Sequence, residues 1–519
     1  MLRGIVTVGG WTMLSRAFGF LRDMLIGYFV GTGPVADAFF VALRLPNLFR
    51  RLFGEGAFNA AFVPEFSGVL ASEGAEPAKQ FAEETIAVMA FWLLGLTILG
   101  EVFMPQIMRA LASGFGDEPG KLELTTALAR ITFPYLFLIC LAALLSGVLN
   151  GLDRFAAAAA APLIFNGVSI AAMFVLTPYV PTVGHSLSWG VTISGVLQLA
   201  LLVWAVRKAG MRLHVPRPRL TPRMRLLFKR MLPGLVGAGI TQLNLTVDIW
   251  IVTWLPPGSA SYLYYADRVN QLPLGVIGTA IGTALLPLLS RQARSGLVAE
   301  ARETLNRALE ISLALTLPAA LALGAVGRPI MSVLFGRGAF DATAALLSSQ
   351  SLAAYSLGLP AFVVLKVLVP AFFAHGDTST PVRIGFVAIA INLSLNLLFM
   401  VPLQHIGPAL ATSLSAIFNV IALAVVLSRR SQLAFDARLR LRLPRMALAA
   451  LAMAGALVWG QEVVFGGVAA VLHGMPGERW VALAALVGFG LGVYAVAGQA
   501  LGGLDFRQIL GVLRRRRMA

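Results

Sequence analysis

The stretch GWTMLSRAFGFLRDMLIGYFVGTGPVADAFFVALRLPNLFRRLFGEGAFNAAFVPEF, residues 10–66, decides how the rest of the chain is read. It reads as two long apolar helices that carry charge where a lipid-facing helix should not. In the first, Thr12, Ser15, Arg16, Gly19, Arg22 and Asp23 fall within roughly a third of the helical wheel at about 100° per residue. In the second, Asp37, Arg44, Arg51 and Glu55 recur at seven-residue and four-residue steps. An ionised Arg at the bilayer centre costs about 2.5–3.5 kcal/mol even on the lenient insertion scale. Several Arg facing lipid would be prohibitive, so they are expected to face a hydrated cavity. A cavity lined mostly by Arg suits an anionic ligand.

Working outward, the 519-residue chain is 58% hydrophobic and 13% charged. A soluble protein carries about twice that charge. Apolar runs of roughly 20 residues, enough to span a bilayer, recur along the chain. The alternation of a β-barrel strand is missing. The sequence therefore predicts an all-α, polytopic membrane protein. Arg16, Arg22 and Asp23 interrupt what a signal peptide would need as an apolar core, so the first helix is expected to stay in the protein. The single Cys140 excludes an internal disulfide and is expected in the core.

The net charge of +17 raises nucleic acid as a partner, and its placement argues against it. Segment 207–230 holds nine Arg/Lys and no acid. Segment 429–445 holds six Arg and one Asp, and the tail 503–519 holds five Arg and one Asp. These three short connections carry the equivalent of the whole net charge and read as positive-inside topology signals.

Fourteen spans are expected, near 4–31, 36–68, 81–110, 123–149, 157–178, 187–206, 231–255, 260–291, 305–326, 344–373, 382–402, 408–428, 447–471 and 480–502. The basic segments then follow spans 6, 12 and 14 and share one side, the cytoplasm, with both termini. An internal repeat runs through the chain. Arg44 and Arg268, Gly54 and Gly278, and Asp153 and Asp377 are each 224 residues apart, while Pro64 and Pro287, and Ser67 and Ser290, are 223 apart. Six spans per period place both copies in the same orientation, with a site between them. The expected layout is an N-lobe over 1–206, a basic linker over 207–230 and a C-lobe over 231–428. A basic loop over 429–446 and two added helices with a basic tail over 447–519 complete it.

Guanidinium groups stay charged and form forked bonds to phosphate or carboxylate. Arg16, Arg22 and Arg268 are read as ligand contacts because basic groups outnumber nearby acids. Asp23, Asp37 and Glu55 are read first as internal ion-pair partners. Arg50 and Arg51 lie beyond a helix break expected at Pro46 and serve either a ligand or a helix end. Asp248, with Asn244 one turn away, is a candidate site for a coupling Na+ or H+, or is simply bonded to Asn244. Lys366 either snorkels or lines the cavity. Asp153 and Asp377 read as turn residues. No G-x-x-x-x-G-K-[ST] loop, G-x-S-x-G elbow or metal-ligand spacing among the five His is present, so neither ATP hydrolysis, metal nor cofactor is expected.

SRAFGFLRD at 15–23 and ADAFFVALRLPNLFRRLFGEGAFNAAFVP at 36–64 resemble the MurJ (MviN) family of lipid II flippases, in the MOP exporter superfamily. The resemblance continues at YYADRVNQLPLGVIGTAIGTALLPLLS (264–290) and GDTSTPVRI (376–384) and covers essentially the whole chain. It implies fourteen helices in two lobes, a bacterial inner-membrane location and movement of lipid II to the periplasmic leaflet. It also implies a groove for the polyprenyl tail formed by spans 13 and 14, and leaves room for partners among the cell-wall synthesis proteins. Carried onto this sequence, it adds Ser15, Asp23, Asp37 and Arg50 to Arg16, Arg22 and Arg268, and the candidate substrate-binding set also includes Arg44 and Arg51. Family members often have an acid where Gln271 stands. A flippase for another polyprenyl-linked glycan and a MATE-like antiporter are the alternatives, the latter disfavoured by an Arg-rich rather than acidic interior. An enzyme acting on polyprenyl phosphates would need paired acids at a membrane face.

Overall fold

The computed structural model describes residues 2–51, 57–463 and 476–504, and the statements below concern those residues. Among them there are α-helices, short 3-10 turns and no strand. The chain divides into two compact units. One comprises Met1–Ser261 with Gly338–Phe340, the other Tyr262–Arg337 with Asp341–Ala519. The division falls inside one helix, α11.

The first unit holds α1 (Leu2–Val30), α2 (Pro34–Phe49), α3 (Ala57–Ser72), α4 (Ala75–Val102) and α5 (Met104–Leu111). It continues with α6 (Lys121–Thr132), α7 (Tyr135–Gly151), α8 (Phe155–Val175), α9 (Val183–Lys208) and α10 (Pro222–Thr253). The first turn of α11 (Ser259–Arg294) ends it. The second unit holds the rest of α11, then α12 (Val298–Ala325), α13 (Gly327–Phe335), α14 (Ala342–Ala374), α15 (Ser379–Phe399) and α16 (Ile406–Arg429). Its last helices are α17 (Ala437–Val463) and α18 (Pro476–Ala500).

Ten helical stretches are long and apolar enough to cross a membrane: α4, α6 with α7, α8, α9, α12 and α14 to α18. The helices α1, α2, α10 and α11, which hold Arg16, Arg22, Arg44, Asp248 and Arg268, are not among the ten: α2 has 16 residues, and charged and polar groups lower the hydropathy of the other three. The protein is an all-α, multi-pass membrane protein.

Several expected spans are broken in the structure, and proline explains most of the breaks. Pro105 opens α5 after α4 ends, and Pro134 separates α6 from α7. Pro46 does not break its helix. It is carried inside α2, which runs on to Phe49 and a π-type turn at Arg50 and Arg51. Glu55 and Gly54 lie outside the described residues.

Within the first unit, α1 packs on α8, α8 on α9, α9 on α7, α2 on α6, and α3 on α7 and α10. The seam along α3 is aromatic. Phe58, Phe62 and Phe66 recur every four residues, so they share a face and stack at 5.3 and 5.6 Å, with Phe81 of α4 stacked 5.6 Å from Phe62. Lipid tails are as apolar as these rings, so the seam is held by close contact rather than by escape from water. Cys140 is fully buried here.

The basic 207–230 segment resolves into irregular chain over 211–221 and the start of α10, capped by the Thr221 hydroxyl. It is strapped to acids of α3, of α4 and of the turn between them. The His214 amide donates to Glu83 at 2.9 Å, the Thr221 hydroxyl to Glu84 at 3.0 Å, and Arg223 to Glu73 at 2.6 Å. Arg230 pairs with Glu65.

In the second unit, α14 packs against α12 and α16, α15 against α16, and α17 against α12 and α18. Val367, Leu368 and Phe372 of α14 centre one buried cluster. Met453 and Leu457 of α17 with Leu486 and Tyr494 of α18 form another. The segment 429–446, expected as a loop, is a short connection over 430–436 followed by the first turns of α17, and one buried carboxylate holds it to α12. Glu310 accepts from Arg442 at 2.6 Å and from Arg438 at 3.2 Å, and pairs with Arg307. Asp153 takes up a left-handed turn at φ 58, and Asp377 closes the turn before α15, as their turn reading anticipated.

Candidate functional site

On α1, Arg22 is held within a closed polar cluster. Its Nε and Nη2 donate to Asp23 Oδ1 at 3.0 and 2.6 Å, and its Nη1 donates to Asn166 Oδ1 of α8 at 3.1 Å. Asn166 Nδ2 in turn donates to the Ser15 carbonyl at 2.9 Å and lies 3.4 Å from the Ser15 hydroxyl. The guanidinium lies over the Phe165 ring at 5.2 Å. Adjacent helical residues point about 100° apart. Asp23 is reached only because the Arg side chain is long enough to fold back. Asp23 is 4% exposed, so its charge is compensated by Arg22 rather than by water. Asn166 is the member that periodicity does not reveal. Arg16, by contrast, is exposed.

Asp37 belongs to a second cluster, in the first turn of α2. It is 1% exposed. One oxygen accepts from the Ser261 amide at 2.9 Å and the Ser261 hydroxyl at 2.6 Å, and the other accepts from the Gly258 amide at 2.7 Å and Lys121 Nζ at 3.2 Å. Lys121 also donates to Glu118 at 2.7 Å and lies 4.1 Å from the centre of the Phe115 ring. The Asp37 carboxyl thus caps the start of α11, where the helix dipole favours an acidic group. The ion-pair partner expected for Asp37 is Lys121, a residue the sequence reading did not single out.

Farther along α2, Arg44 is half-buried. Arg50 Nε donates to Asn47 Oδ1 at 3.2 Å, and Arg51 is exposed. In the second unit the Arg268 guanidinium lies 4.8 Å from the centre of the Tyr264 ring on the preceding turn of α11. Gln271, the departure from the family's acid, donates its amide to Asp267. Asp248 is half-buried on α10, while the side chain of Asn244 lies outside the described residues. Lys366 lies against α11 at Gly278, where a Cβ would stand 2.9 Å from both its Cδ and Nζ.

The chemistry of these groups is binding and charge compensation. Among the described residues no three His, Cys, Asp or Glu gather as a metal site.

The sequence profile of the family described as "Lipid II flippase MurJ" matches residues 26–474. A "Probable lipid II flippase MurJ" of Rhizobium tropici is 40% identical over 526 residues, covering 100% of this chain and 98% of the relative. One of Rhizobium meliloti is 44% identical over 88% of this chain and 86% of its own length. A solved structure described as "Lipid II flippase MurJ, inward closed conformation" superposes with a TM-score of 0.79 at 25% identity, covering 97% of this chain and 100% of that one. An inward-facing multidrug resistance MATE family transporter of the MOP superfamily shares the fold, with a TM-score of 0.66 at 12% identity, over 82% of this chain and 99% of its own. On the profile match and on relatives this similar over 86% and 98% of their own length, the chain belongs to the MurJ family of lipid II flippases.

Proposed function

We propose that this chain is a lipid II flippase of the bacterial inner membrane, with both termini cytoplasmic, carrying its substrate from the cytoplasmic to the periplasmic leaflet by alternating access. One observation carries the reading: the similarity to curated flippases runs the full length of the chain. The geometry supports it through cations kept inside apolar helices, Arg22 with its fork set by Asp23 and Asn166 and Arg268 over Tyr264. Lipid II has a diphosphate that cannot cross hydrocarbon alone and a polyprenyl tail that never needs to leave it. Arg16, Arg22 and Arg268 engage the diphosphate, with Ser15, Asp23, Asp37, Arg44, Arg50 and Arg51 holding or flanking them. The added helices α17 and α18 accommodate the tail.

Outward movement of anionic charge from a negative-inside cell is favoured by about 2.3 kcal/mol per charge per 100 mV. Membrane potential, or a Na+ or H+ gradient acting at Asp248, drives the cycle without ATP. The surrounding lipids and proteins of cell-wall synthesis are the partners.

The test is depletion of the native flippase in cells carrying this gene, followed by labelling of lipid II on the outer leaflet. Restored exposure by the wild type, lost in Arg22→Ala and Arg268→Ala at equal membrane levels, supports the reading. A well-expressed wild type that restores nothing points to a different polyprenyl-linked glycan. An active wild type with two active variants removes these arginines from the site.

A further inference from the structure

We propose that Lys366 is a further contact for the anionic headgroup, seated on α11 by Gly278; this rests on the flippase reading above. Three observations carry it. Lys366 sits in the last third of α14, a helix apolar enough to cross the membrane, among the buried Val363, Val364 and Val367. An ionisable group placed there is costly unless it meets water, a partner or a ligand. A lysine that merely snorkels turns its ammonium toward the end of its own helix. Lys366 instead lies across to the middle of α11, over Gly278.

The fit at Gly278 is specific. A Cβ there would stand 2.9 Å from Lys366 Cδ and Nζ and 3.1 Å from Cε. Only a glycine leaves room for the outer end of the lysine chain to lie flat on the helix. Among the described residues Lys366 makes no hydrogen bond or ion pair, so its ammonium has three donors to offer.

The position gives the contact a role that Arg268 does not have. Arg268 stands on α11 and Lys366 reaches the same helix from α14 at Gly278, ten residues and about 15 Å farther along it at 1.5 Å rise per residue. On the proposed topology Lys366 is the more cytoplasmic of the two. The headgroup meets Lys366 early in its passage and Arg268 later. A compact ammonium with a flexible stem suits a transient hold, while the planar fork of Arg suits a fixed one.

The test is the lipid II exposure assay with Lys366→Gln, Lys366→Arg, Gly278→Ala and the double variant Gly278→Ala/Lys366→Gln, each at matched membrane levels. Because the atoms in the way at 278 are the far end of a flexible side chain, Gly278→Ala displaces the ammonium and leaves the fold intact. Lys366→Gln is expected to slow exposure about tenfold or more, the scale of one lost charge-assisted hydrogen bond. Lys366→Arg is expected to restore most of it. Gly278→Ala is expected to slow exposure alone and to add nothing to Lys366→Gln, because the two act on one contact. A wild-type rate in Lys366→Gln, or losses that multiply in the double variant, overturns the inference while the flippase reading stands. A wild type that exposes no lipid II overturns both.

Discussion

Asp37 accepts both the backbone amide and the hydroxyl of Ser261, 224 residues away. That is also the lag at which the sequence repeats Arg44 at Arg268 and Asp153 at Asp377. With Gly258 and Lys121 completing the set, this carboxylate fastens α2, α6 and the start of α11 at one point.

Removing that point should be expensive. Asp37→Ala leaves Lys121, whose side chain is 2% exposed, with Glu118 as its remaining partner, and leaves the amides of Gly258 and Ser261 without an acceptor. Breaking a buried pair from one side costs about 3–5 kcal/mol. Thermal unfolding in detergent should show a large drop in Tm for Asp37→Ala. Replacing Asp37 and Lys121 together by apolar residues should be milder than Asp37→Ala alone. Equal losses would mean that the pair is not coupled.

Asn166 should matter to Arg22 through orientation. Asn166→Ala removes an anchor of the guanidinium while its charge remains. Lipid II exposure should fall by about fivefold to tenfold, the scale of one net hydrogen bond. Arg22→Lys, which keeps the charge and loses the fork, should do at least as badly. An Asn166→Ala variant with the wild-type rate would show that the fork needs no second anchor.

Glu310 should be indispensable to the 429–446 segment. Three arginines converge on one buried carboxylate, and Glu310→Ala takes that shared acceptor away while Arg307 keeps Asp436. A lower Tm in detergent is expected. Protease accessibility of the segment should rise as well. A segment equally protected in the variant would refute this.

Two groups outside the membrane-spanning segments should separate on acidification. His405, at the start of α16, is buried beside Gln350 (3.1 Å) and near Tyr262, and burial pushes its pKa down. The unfolded chain then binds the proton first. Stability is full above the ordinary His value of about 6.5 and declines as pH falls below it. Asp377 behaves differently. Hydrogen bonds from Thr380, then Arg430 and Ser379, hold its carboxyl well below the ordinary carboxylate range. Its contribution is present above about 3.9 and is lost only below that. The pKa of His185 is pushed down by burial in the same way, so thermal scans from pH 8 to pH 3 should show a loss in the wild type below about 6.5 that is smaller in His405→Gln. Asp377→Asn should leave that interval unchanged.

The helical class and the positions of the cations were legible because they depend on local quantities: run length, periodicity and the rarity of Arg in an apolar helix. Arg22, Asp23 and Ser15 fall on one face of a wheel, and the structure brings them together. What joins them, Asn166, sits 144 residues away on α8, and no periodicity in α1 reports it. Lys121 was passed over for a similar reason. It begins a helix, where a lysine ordinarily reads as an interface residue, and only packing reveals Asp37 and Phe115 around it. Pro46 shows the limit of local rules. A proline marks a helix end in most contexts, yet a well-packed helix tolerates one lost amide bond and continues.

The strap between the basic linker and the acids of α3, of α4 and of the turn between them gives those cations two successive lives. On the proposed topology, Arg223 and Arg230 act during insertion as positive charge that orients the neighbouring helices. Once folding is complete, the same side chains are staples, matched to Glu73 and Glu65. Topology and stability are therefore written in the same residues but read at different times. Neutralising the glutamates should leave the orientation of the protein intact and loosen only the finished structure, whereas neutralising the arginines disturbs biogenesis before any fold exists to be weakened.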